Sequence, residues 1–425
     1  MIQGTNETGL GISQEEYEDY AVGLIDARNT SAVIDNLVER RKNLINGGVN
    51  CIPWPFPRFR VEIPGIEQGQ YVVVTANQKV GKSNFADYVY MFYVLDYCFE
   101  HKDQCSAHII YFSLEESVQK IIERYMSYLL NKMDGLHIAP ADLRSTSTDY
   151  PVPEEALDLL KSKKYQERLR FFEECVQFET ENTNPTGILR VCENYAKSVG
   201  EYKSETIKSN GLAEKSVEVF RSYKQYDPNH YKICIIDHIG LVDKEQGFKG
   251  TKEAVDKTSE YFVKYLRNRY NFTCVSIQQQ ASESEGLEAI KAKRMVPTSA
   301  GLGDSKYTGR DADLVLGLFD PSKFGLPKWL EYPILTIDGN NLGSYARFLY
   351  VLANRNGEMG GVCPMFFDGA VCMFRELPRP DDNVNMRYWY DKVKELRSLK
   401  SKRGVKTASV LTLFKHLKIN ERTRR

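Results

Sequence analysis

The sequence has no net charge, no paired cysteines and no long apolar run. Its 57 Lys and Arg residues match 57 Asp and Glu residues, so the overall charge indicates neither a nucleic-acid nor a membrane partner. The nine cysteines include no C-x-x-C pair, which favours mostly buried, reduced thiols over disulfides or a zinc site. No charged-then-apolar leader begins the chain, and no apolar run approaches the roughly 20 residues of a membrane span. These absences predict a soluble, cytoplasmic protein with no membrane partner.

One stretch of the chain, residues 69–86, has the pattern of a strand, a phosphate-binding loop and a helix. Its polar loop closes on Gly81, Lys82 and Ser83. In such a loop backbone N–H groups wrap a phosphate chain, the lysine reaches the β- and γ-phosphates, and the hydroxyl binds Mg²⁺. Ala76 stands where the simple pattern has its first glycine, so that position must tolerate a Cβ. We predict a nucleotide-binding loop formed by Ala76, Asn77, Gln78, Lys79, Val80, Gly81, Lys82, Ser83 and Asn84.

Two later strands end in carboxylates. Residues 108–116 form a short apolar strand with two glutamates at its end, and the spacing of Ser113 and Glu116 predicts a capping box that starts a helix. The capping box explains Glu116 and leaves Glu115 free. Residues 231–237 have the pattern of a buried strand that ends in Asp237. Because ligands of open α/β sheets bind outside the carboxyl ends of the strands, we predict that Asp237 holds the water shell of Mg²⁺.

Further along, polar and basic side chains allow two interpretations each. The strand 272–277 is followed by three glutamines that begin at Gln278, and they either sense a γ-phosphate or form a polar fringe. In the next segment Lys291, Lys293 and Arg294 belong either to a DNA-binding loop or to a solvated loop.

A hairpin signal surrounds Arg355. Asn356-Gly357 predicts a tight turn between the strands 347–353 and 363–367, with Arg355 at its tip. An exposed arginine is usually only a solvated charge, so the pattern alone favours that interpretation.

The rest of the chain predicts the organisation around this core. Residues 31–45 form a helix whose apolar face must dock on the main domain or on another subunit. Residues 51–64, rich in proline and aromatics, predict an extended connector, and the polar stretch 199–229 predicts a surface insertion. From Met386 onward thirteen basic residues stand against three acidic ones, which is typical of a solvated helix, a disordered arm or a nucleic-acid patch. We also predict helices near 154–170 and 187–197, a strand at 171–178 and a helix over 251–270.

The order of these elements resembles that of a RecA-like ATPase core. Six motifs resemble, in sequence and order, those of DnaB-type replicative helicases: GIEQGQYVVVTANQKVGKSNFA, HIIYFSLEES, YKICIIDHIGLV, CVSIQQQ, DSKYTGRDADLVLGLF and LANRNGEMGGV. The resemblance covers roughly residues 39–377. It implies an α/β fold with a mostly parallel sheet flanked by helices, ATP and Mg²⁺ as cofactors, and a homo-hexameric ring that moves on single-stranded DNA as a helicase.

The resemblance also implies roles for single residues. Lys82 and Ser83 match the family's phosphate-loop lysine and hydroxyl, and Asp237 takes the magnesium side. Glu115 matches the glutamate that polarises the attacking water. Gln278 matches the glutamine that couples the γ-phosphate to DNA-binding loops, and Arg355 matches the finger inserted into a neighbouring subunit's ATP site. The helix at 31–45 resembles the family's linker helix, which docks on the adjacent subunit. A primase or a loader is the further partner that the family implies.

Three departures from the family are visible. Only about thirty residues precede the linker helix, which predicts a short form without the N-terminal helical domain. Ala353 stands two residues before Arg355 where the family has a lysine, so we expect slower hydrolysis. The insertion and the basic tail are additions, and such a trimmed, decorated form suggests a virus-encoded protein acting in a bacterial host. We expect a linker region (1–50), a RecA-like ATPase domain (51–378) and a basic extension (379–425).

An alternative function keeps the same core. A RecA/KaiC-like ATPase would form filaments or rings for strand exchange or signalling and would not unwind DNA. A third interpretation is an ATP-binding assembly module that barely hydrolyses ATP, motivated by Ala353.

Overall fold

The computed structural model describes residues 30–46, 48–146, 151–208, 216–281, 294–336 and 339–403. The strands, in chain order, are β1 (Ile52–Pro53), β2 (Gly65–Ile66), β3 (Tyr71–Ala76), β4 (Ser106–Ser113), β5 (Val176–Glu179), β6 (Gly200–Lys208), β7 (Ser216–Gln225), β8 (His230–Asp237), β9 (Thr273–Gln279), β10 (Leu314–Phe319), β11 (Lys328–Trp329), β12 (Tyr332–Pro333), β13 (Ala346–Asn354), β14 (Val362–Asp368) and β15 (Met373–Glu376).

The helices are α1 (Thr30–Ile45), α2 (Lys82–Ala86, Asp87–Phe92 and Tyr93–Glu100 in succession), α3 (Val118–Asp134), α4 (Pro140–Leu143), α5 (Glu154–Lys161), α6 (Lys163–Cys175), α7 (Pro185–Ser198), α8 (Thr251–Tyr261, continued by Phe262–Arg267), α9 (Tyr307–Asp311) and α10 (Asn383–Arg403). The middle of α2 and the continuation of α8 are π-helical.

Nine strands form the central sheet, in the order β15-β14-β13-β10-β3-β9-β8-β4-β5. The six strands from β10 to β5 are parallel, and β13, β14 and β15 extend one side antiparallel. We call the edge where the parallel strands end the carboxyl edge, and the edge where they begin the amino edge. The predicted α/β fold with a mostly parallel sheet is confirmed.

The sheet is mostly parallel because its central strands are apolar on both faces. Every residue of β3 is buried, and its side chains alternate between two cores. Val72 and Val74 face the core that contains α2, α3 and α6, whereas Tyr71 and Val73 face the core that contains α7 and α8. A third core lies between the antiparallel strands and α10. Helices therefore cover both faces of the parallel strands.

Several predicted elements are confirmed with small shifts. The helix at 31–45 is α1, the strand at 231–237 is β8, and the helix at 187–197 is α7. The helix predicted over 154–170 is two helices separated at Ser162, and the strand predicted at 171–178 begins only at Val176 because α6 continues to Cys175. All nine cysteines are free thiols and eight of them are buried, as predicted.

The predicted connector at 51–64 is wrong. This segment holds β1, the start of the β1–β2 pairing and a 3-10 turn at Pro57–Val61. Trp54 and Phe56 are buried, and Phe56 stacks near Phe85 and Tyr88 of α2. The aromatic side chains that looked like linker composition are core residues, because burying them removes a large apolar area from water.

The predicted insertion is an antiparallel hairpin, β6 with β7. Phe220 of this hairpin packs against Tyr270, so one side of the hairpin belongs to the second core. At the C-terminal end, α10 buries Met386, Val393, Leu396 and Leu399 at helical spacing against the third core. None of the described helices is long and apolar enough to cross a membrane.

Candidate ATP site

The predicted phosphate-binding loop lies at the carboxyl edge, between the end of β3 and the start of α2. The loop needs two residues with positive φ, Lys79 at 59° and Gly81 at 102°. A Cβ on Gly81 would also lie 3.0 Å from the Phe367 ring, so glycine is required there by conformation and by space. Ala76, by contrast, is the last residue of β3 and is fully buried in the first core. A Cβ is accommodated at Ala76 because that position is still part of the strand.

Parallel register brings the other predicted residues to the same edge. β3 and β9 pair Thr75 with Gln278, and β4 and β8 pair Ser113 with Asp237. Glu115 follows two residues after Ser113. The structure therefore brings together the loop 76–84, Glu115, Asp237 and Gln278, which are far apart in sequence.

Asp237 fits a role beside Mg²⁺. Its carboxyl group is buried, and its Oδ1 atom has no hydrogen-bond partner among the described residues. Burial and the nearby carboxylate of Asp87 raise the pKa of Asp237 to about 7, whereas Ser83 and Lys82 oppose that rise. A buried oxygen that lacks a donor and lies beside a hydroxyl is the kind of hard ligand set that Mg²⁺ and its waters complete. Ser83 and Asp237 are thus the residues that would hold the ion with a bound triphosphate.

A buried network supports Asp237 from below. The Tyr111 hydroxyl is 3.0 Å from an Asp87 oxygen and 3.3 Å from Oδ2 of Asp237. The Arg124 guanidinium makes two ion pairs, with Asp87 and with Glu116. Burial raises the pKa of Asp87, and Arg124 opposes that rise. Because an isolated buried carboxylate is costly, Arg124 stabilises the ionised pair of acids on either side of the site.

The predicted capping box at Ser113 is wrong. The helix α3 starts only at Val118, after Ser117, and the Ser113 hydroxyl donates instead to the Glu116 carbonyl at 2.5 Å. Glu116 is held by Arg124, so its side chain is not available to cap a helix. Glu115 next to it is 44% exposed, and one of its oxygens lies 4.0 Å from Nε2 of His238. Glu115 therefore reaches solvent at the carboxyl edge, where an attacking water would have to lie.

Gln278 is fully buried. Its side-chain amide donates to the carbonyls of Gly303 and, at 2.8 Å, of Ser305, while its carbonyl oxygen accepts from the Thr308 hydroxyl at 2.5 Å. Gln278 thereby links the end of β9 to the segment that leads into α9. This segment follows residues 282–293, so Lys291 and Lys293 lie outside the described residues, whereas Arg294 is described and exposed.

Arg355 lies at the opposite edge of the sheet. β13 runs antiparallel to β10 and pairs Asn354 with Leu314, which in turn pairs with Val72 near the start of β3. The Arg355 backbone N–H donates to the Asp313 carbonyl at 2.8 Å, and its side chain is 51% exposed.

The tight hairpin predicted at Asn356-Gly357 is wrong. Val351 bonds to Gly361 and Gly360 through the backbone, and Gly360 carries the positive φ of 91°. The loop is therefore longer than two residues. The reason is that β13 beyond Val351 continues beside β10 and no longer pairs with β14.

Four residues near the site carry no signal in the sequence. Arg124 joins two acids from different elements, and Lys323, Asp320 and Arg347 lie next to the phosphate-binding loop although they are more than two hundred residues away in the chain. Only the strand order brings them to the loop, because β10 and β13 lie beside β3.

The fold is that of a RecA-like P-loop ATPase, and its nearest features are those of a DnaB-type helicase core. A solved helicase ATPase domain is similar over 83% of this chain and 100% of its own length, with a TM-score of 0.56 and 13% identity. A DnaB-like replicative helicase, described with its interactions with primase, is similar over 80% of this chain and 67% of its own, with a TM-score of 0.55 and 12% identity.

A KaiC-like protein from the archaeon Pyrococcus horikoshii also matches, over 77% of this chain and 97% of its own, with a TM-score of 0.40 and 11% identity. No family model matches the chain, and no curated protein is similar to it in sequence. The likeness is therefore one of structure, and the fold is what it establishes.

Proposed function

We propose that this protein is an ATP-dependent DNA helicase that moves on single-stranded DNA as a hexameric ring, with each ATP site shared between two subunits. One observation carries the proposal: the phosphate-binding loop and Arg355 lie at opposite edges of one sheet. From Tyr71 to Ala76 the strand β3 spans about 17 Å at roughly 3.3 Å per residue. That span exceeds the length of an arginine side chain, so Arg355 cannot reach the loop of its own chain.

The helix α1 supports the same arrangement. Its apolar side chains remain more than 40% exposed on this chain: Val33, Ile34, Leu37, Val38, Leu44 and Ile45. A helix with one exposed apolar face is expected to bury that face against a partner. Of the two docking modes that the sequence allows, docking on another subunit is the one that the exposure favours.

In the proposed reaction the chain's own residues bind, orient and polarise. Lys82 and the N–H groups of the loop bind the β- and γ-phosphates, and Ser83 and Asp237 hold the ion. Mg²⁺, when bound with ATP, neutralises charge that develops on the phosphates. Glu115, exposed at the carboxyl edge, orients and polarises the attacking water. Arg355 of the adjacent subunit stabilises the charge of the transition state.

Coupling to DNA would start at Gln278. Its buried amide holds the carbonyls of Gly303 and Ser305, so a shift at the γ-phosphate would be transmitted to the segment that follows 282–293. Lys291, Lys293 and Arg294 are the candidate phosphate contacts of a salt-sensitive, sequence-independent DNA interaction.

Subunit mixing tests the shared site. Lys82→Ala and Arg355→Ala chains should each be inactive alone, and their mixture should regain ATPase activity because some interfaces then combine an intact loop with an intact arginine. No recovery in the mixture, with ring formation shown by electron microscopy, would contradict a finger that acts in trans.

Unwinding is tested on forked DNA with either a 5′ or a 3′ tail. The wild-type chain should unwind one of the two forks, and Lys82→Ala should unwind neither. A protein that hydrolyses ATP on DNA yet unwinds neither fork would instead be a RecA/KaiC-like ATPase. Because one structural neighbour is described with its interactions with primase, primase is the first partner to test by co-purification.

A further inference from the structure

Two backbone carbonyls of the phosphate-binding loop are held from outside by cations. Nζ of Lys323 donates to the Gln78 carbonyl at 2.8 Å, and Nε of Arg347 donates to the Val80 carbonyl at 2.7 Å. Lys323 is exposed, in the 3-10 turn Pro321–Phe324 after β10, and Arg347 is buried in β13. The two cations reach the loop from different elements and hold alternate peptide groups.

Peptide geometry turns these contacts into an orientation of the loop. In a trans peptide the C=O and the following N–H point in opposite directions. A Gln78 carbonyl held toward Lys323 therefore directs the Lys79 N–H to the other side of the loop. A Val80 carbonyl held toward Arg347 does the same for the Gly81 N–H. Lys79 and Gly81 are also the two positions with positive φ, as in the concave N–H arrays that bind anions.

Asp320 organises both cations. Its Oδ1 accepts from the Ser322 N–H at 2.9 Å and from the Ser322 hydroxyl at 2.6 Å, which fixes the turn that carries Lys323. Its Oδ2 lies 3.0 Å from Arg347. Asp320 follows directly after β10, whose register places Leu318 opposite Ala76. The end of β10 is thus adjacent to the start of the loop.

We propose that Lys323 and Arg347 are positioning residues for the triphosphate, a carbonyl clasp that sets the loop's N–H groups before the nucleotide arrives. The clasp also places two positive charges behind the loop, where they favour a polyphosphate without contacting it. This inference rests on the proposed function, because it assigns a role within the same ATP site.

The experiment compares Lys323→Met with Lys328→Met in the full chain. Lys328 is an exposed lysine of β11, a few residues away, and it has no part in the site. Binding of ATP with Mg²⁺, and of inorganic triphosphate with Mg²⁺, is measured by titration calorimetry, with the thermal midpoint of the nucleotide-free protein as a check on folding.

We expect Lys323→Met to bind both probes about tenfold more weakly, the effect of losing one charge-assisted hydrogen bond. Lys328→Met should bind as the wild type does, Lys323→Arg should recover most of the affinity, and the thermal midpoints should agree. In turnover, KM for ATP should rise by the same factor while kcat changes little. Because Lys323 is exposed, the variant tests the clasp without removing a buried group, as Arg347→Met would.

Two failures are distinguishable. A wild-type chain that binds ATP, together with a Lys323→Met chain that binds ATP equally well, overturns the clasp and leaves the proposed function standing. A wild-type chain that binds neither ATP nor triphosphate contradicts the proposed function itself. A loss for ATP without a loss for triphosphate also overturns the clasp, because its effect must act on the phosphates.

Discussion

At the carboxyl edge of the central sheet the ionisable side chains are buried and paired, whereas at the amino edge Arg355 is exposed and Lys232 is buried without a salt bridge among the described residues. Arg124 pairs with Asp87 and Glu116, and Arg347 pairs with Asp320. Lys232 near the start of β8 is fully buried, its Nζ has no hydrogen-bond partner among the described residues, and two rings, Tyr223 at 5.2 Å and Phe272 at 5.8 Å, lie beside it.

The difference reflects what each edge has to do. The carboxyl edge must hold a highly charged ligand in one geometry, and buried pairs fix side chains that would otherwise neutralise or move. The amino edge contributes a single cation to the proposed function, and that cation must protrude toward another subunit. Arg355 is therefore anchored through its backbone to Asp313 while its side chain stays accessible.

The largest effect is expected from Arg355→Ala. ATP turnover of the assembled protein should fall by about a thousandfold or more, as for other trans-acting fingers in NTP hydrolysis. ATP affinity and thermal stability should change little, because the side chain is exposed. Arg310→Ala removes another exposed arginine of the same edge and serves as the control in steady-state ATPase assays. Turnover of Arg355→Ala within a few fold of the wild type would remove the distinction between the edges.

Arg124→Met should be the most destabilising change at the carboxyl edge. It leaves Asp87 buried without its cation, and breaking a buried pair costs about 3–5 kcal/mol. Arg144, which pairs with Glu123 and is more exposed, is the matched control, and Arg144→Met should cost about 1 kcal/mol or less. Urea unfolding measures both. If the double variant Asp87→Asn with Arg124→Met costs as much as Arg124→Met alone, the loss is not due to the unpaired carboxylate.

Lys232→Met should stabilise the protein, in contrast to Arg124→Met. Burial lowers the pKa of Lys232 to about 7, well below its usual value. Between that pH and the unfolded pKa the unfolded chain binds more protons, so wild-type stability rises with pH in this interval and is lost as pH falls through about 7. The variant should therefore be more stable by roughly 2 kcal/mol near pH 6, and its advantage should shrink toward pH 10. Unfolding curves of both proteins across this range show whether it does; an advantage independent of pH would contradict the interpretation.

The smallest effect on stability is expected from two glycine variants. Gly81→Ala and Gly135→Ala each put a Cβ on a residue with positive φ, at a cost of about 1 kcal/mol. Gly135 has open space around it, whereas Gly81 faces the Phe367 ring at 3.0 Å. Only Gly81→Ala should therefore also weaken ATP binding, which calorimetry would detect. Equal ATP affinities of the two variants would mean that the loop tolerates displacement.

Local patterns predicted much of the fold. The strand predicted at 71–75 is β3, that at 231–237 is β8, and that at 272–277 is β9, because a run of apolar residues between turn signals is a property of the segment itself. Predictions that depended on the partner of a segment were weaker. The capping box at Ser113 was wrong since Glu116 pairs with Arg124, and the hairpin at Asn356-Gly357 was wrong since β13 changes its neighbour.

The candidate site divides in the same way. Its loop, Glu115, Asp237, Gln278 and Arg355 could be named from motifs, and their roles remain predictions that the proposed experiments test. The supporting residues could not be named. Lys323 and Gln78 are 245 positions apart, and nothing in the turn around Lys323 indicates a contact with a phosphate-binding loop.

The sequence by itself determined the order of strands and helices, the phosphate-binding loop and the resemblance to a DnaB-type core, because periodicity and turn chemistry act over a few residues. Only the tertiary structure decided which charges are paired at the carboxyl edge and that Arg355 lies at the other edge. Those facts follow from strand order and direction, and these are set by how apolar faces pack over the whole chain.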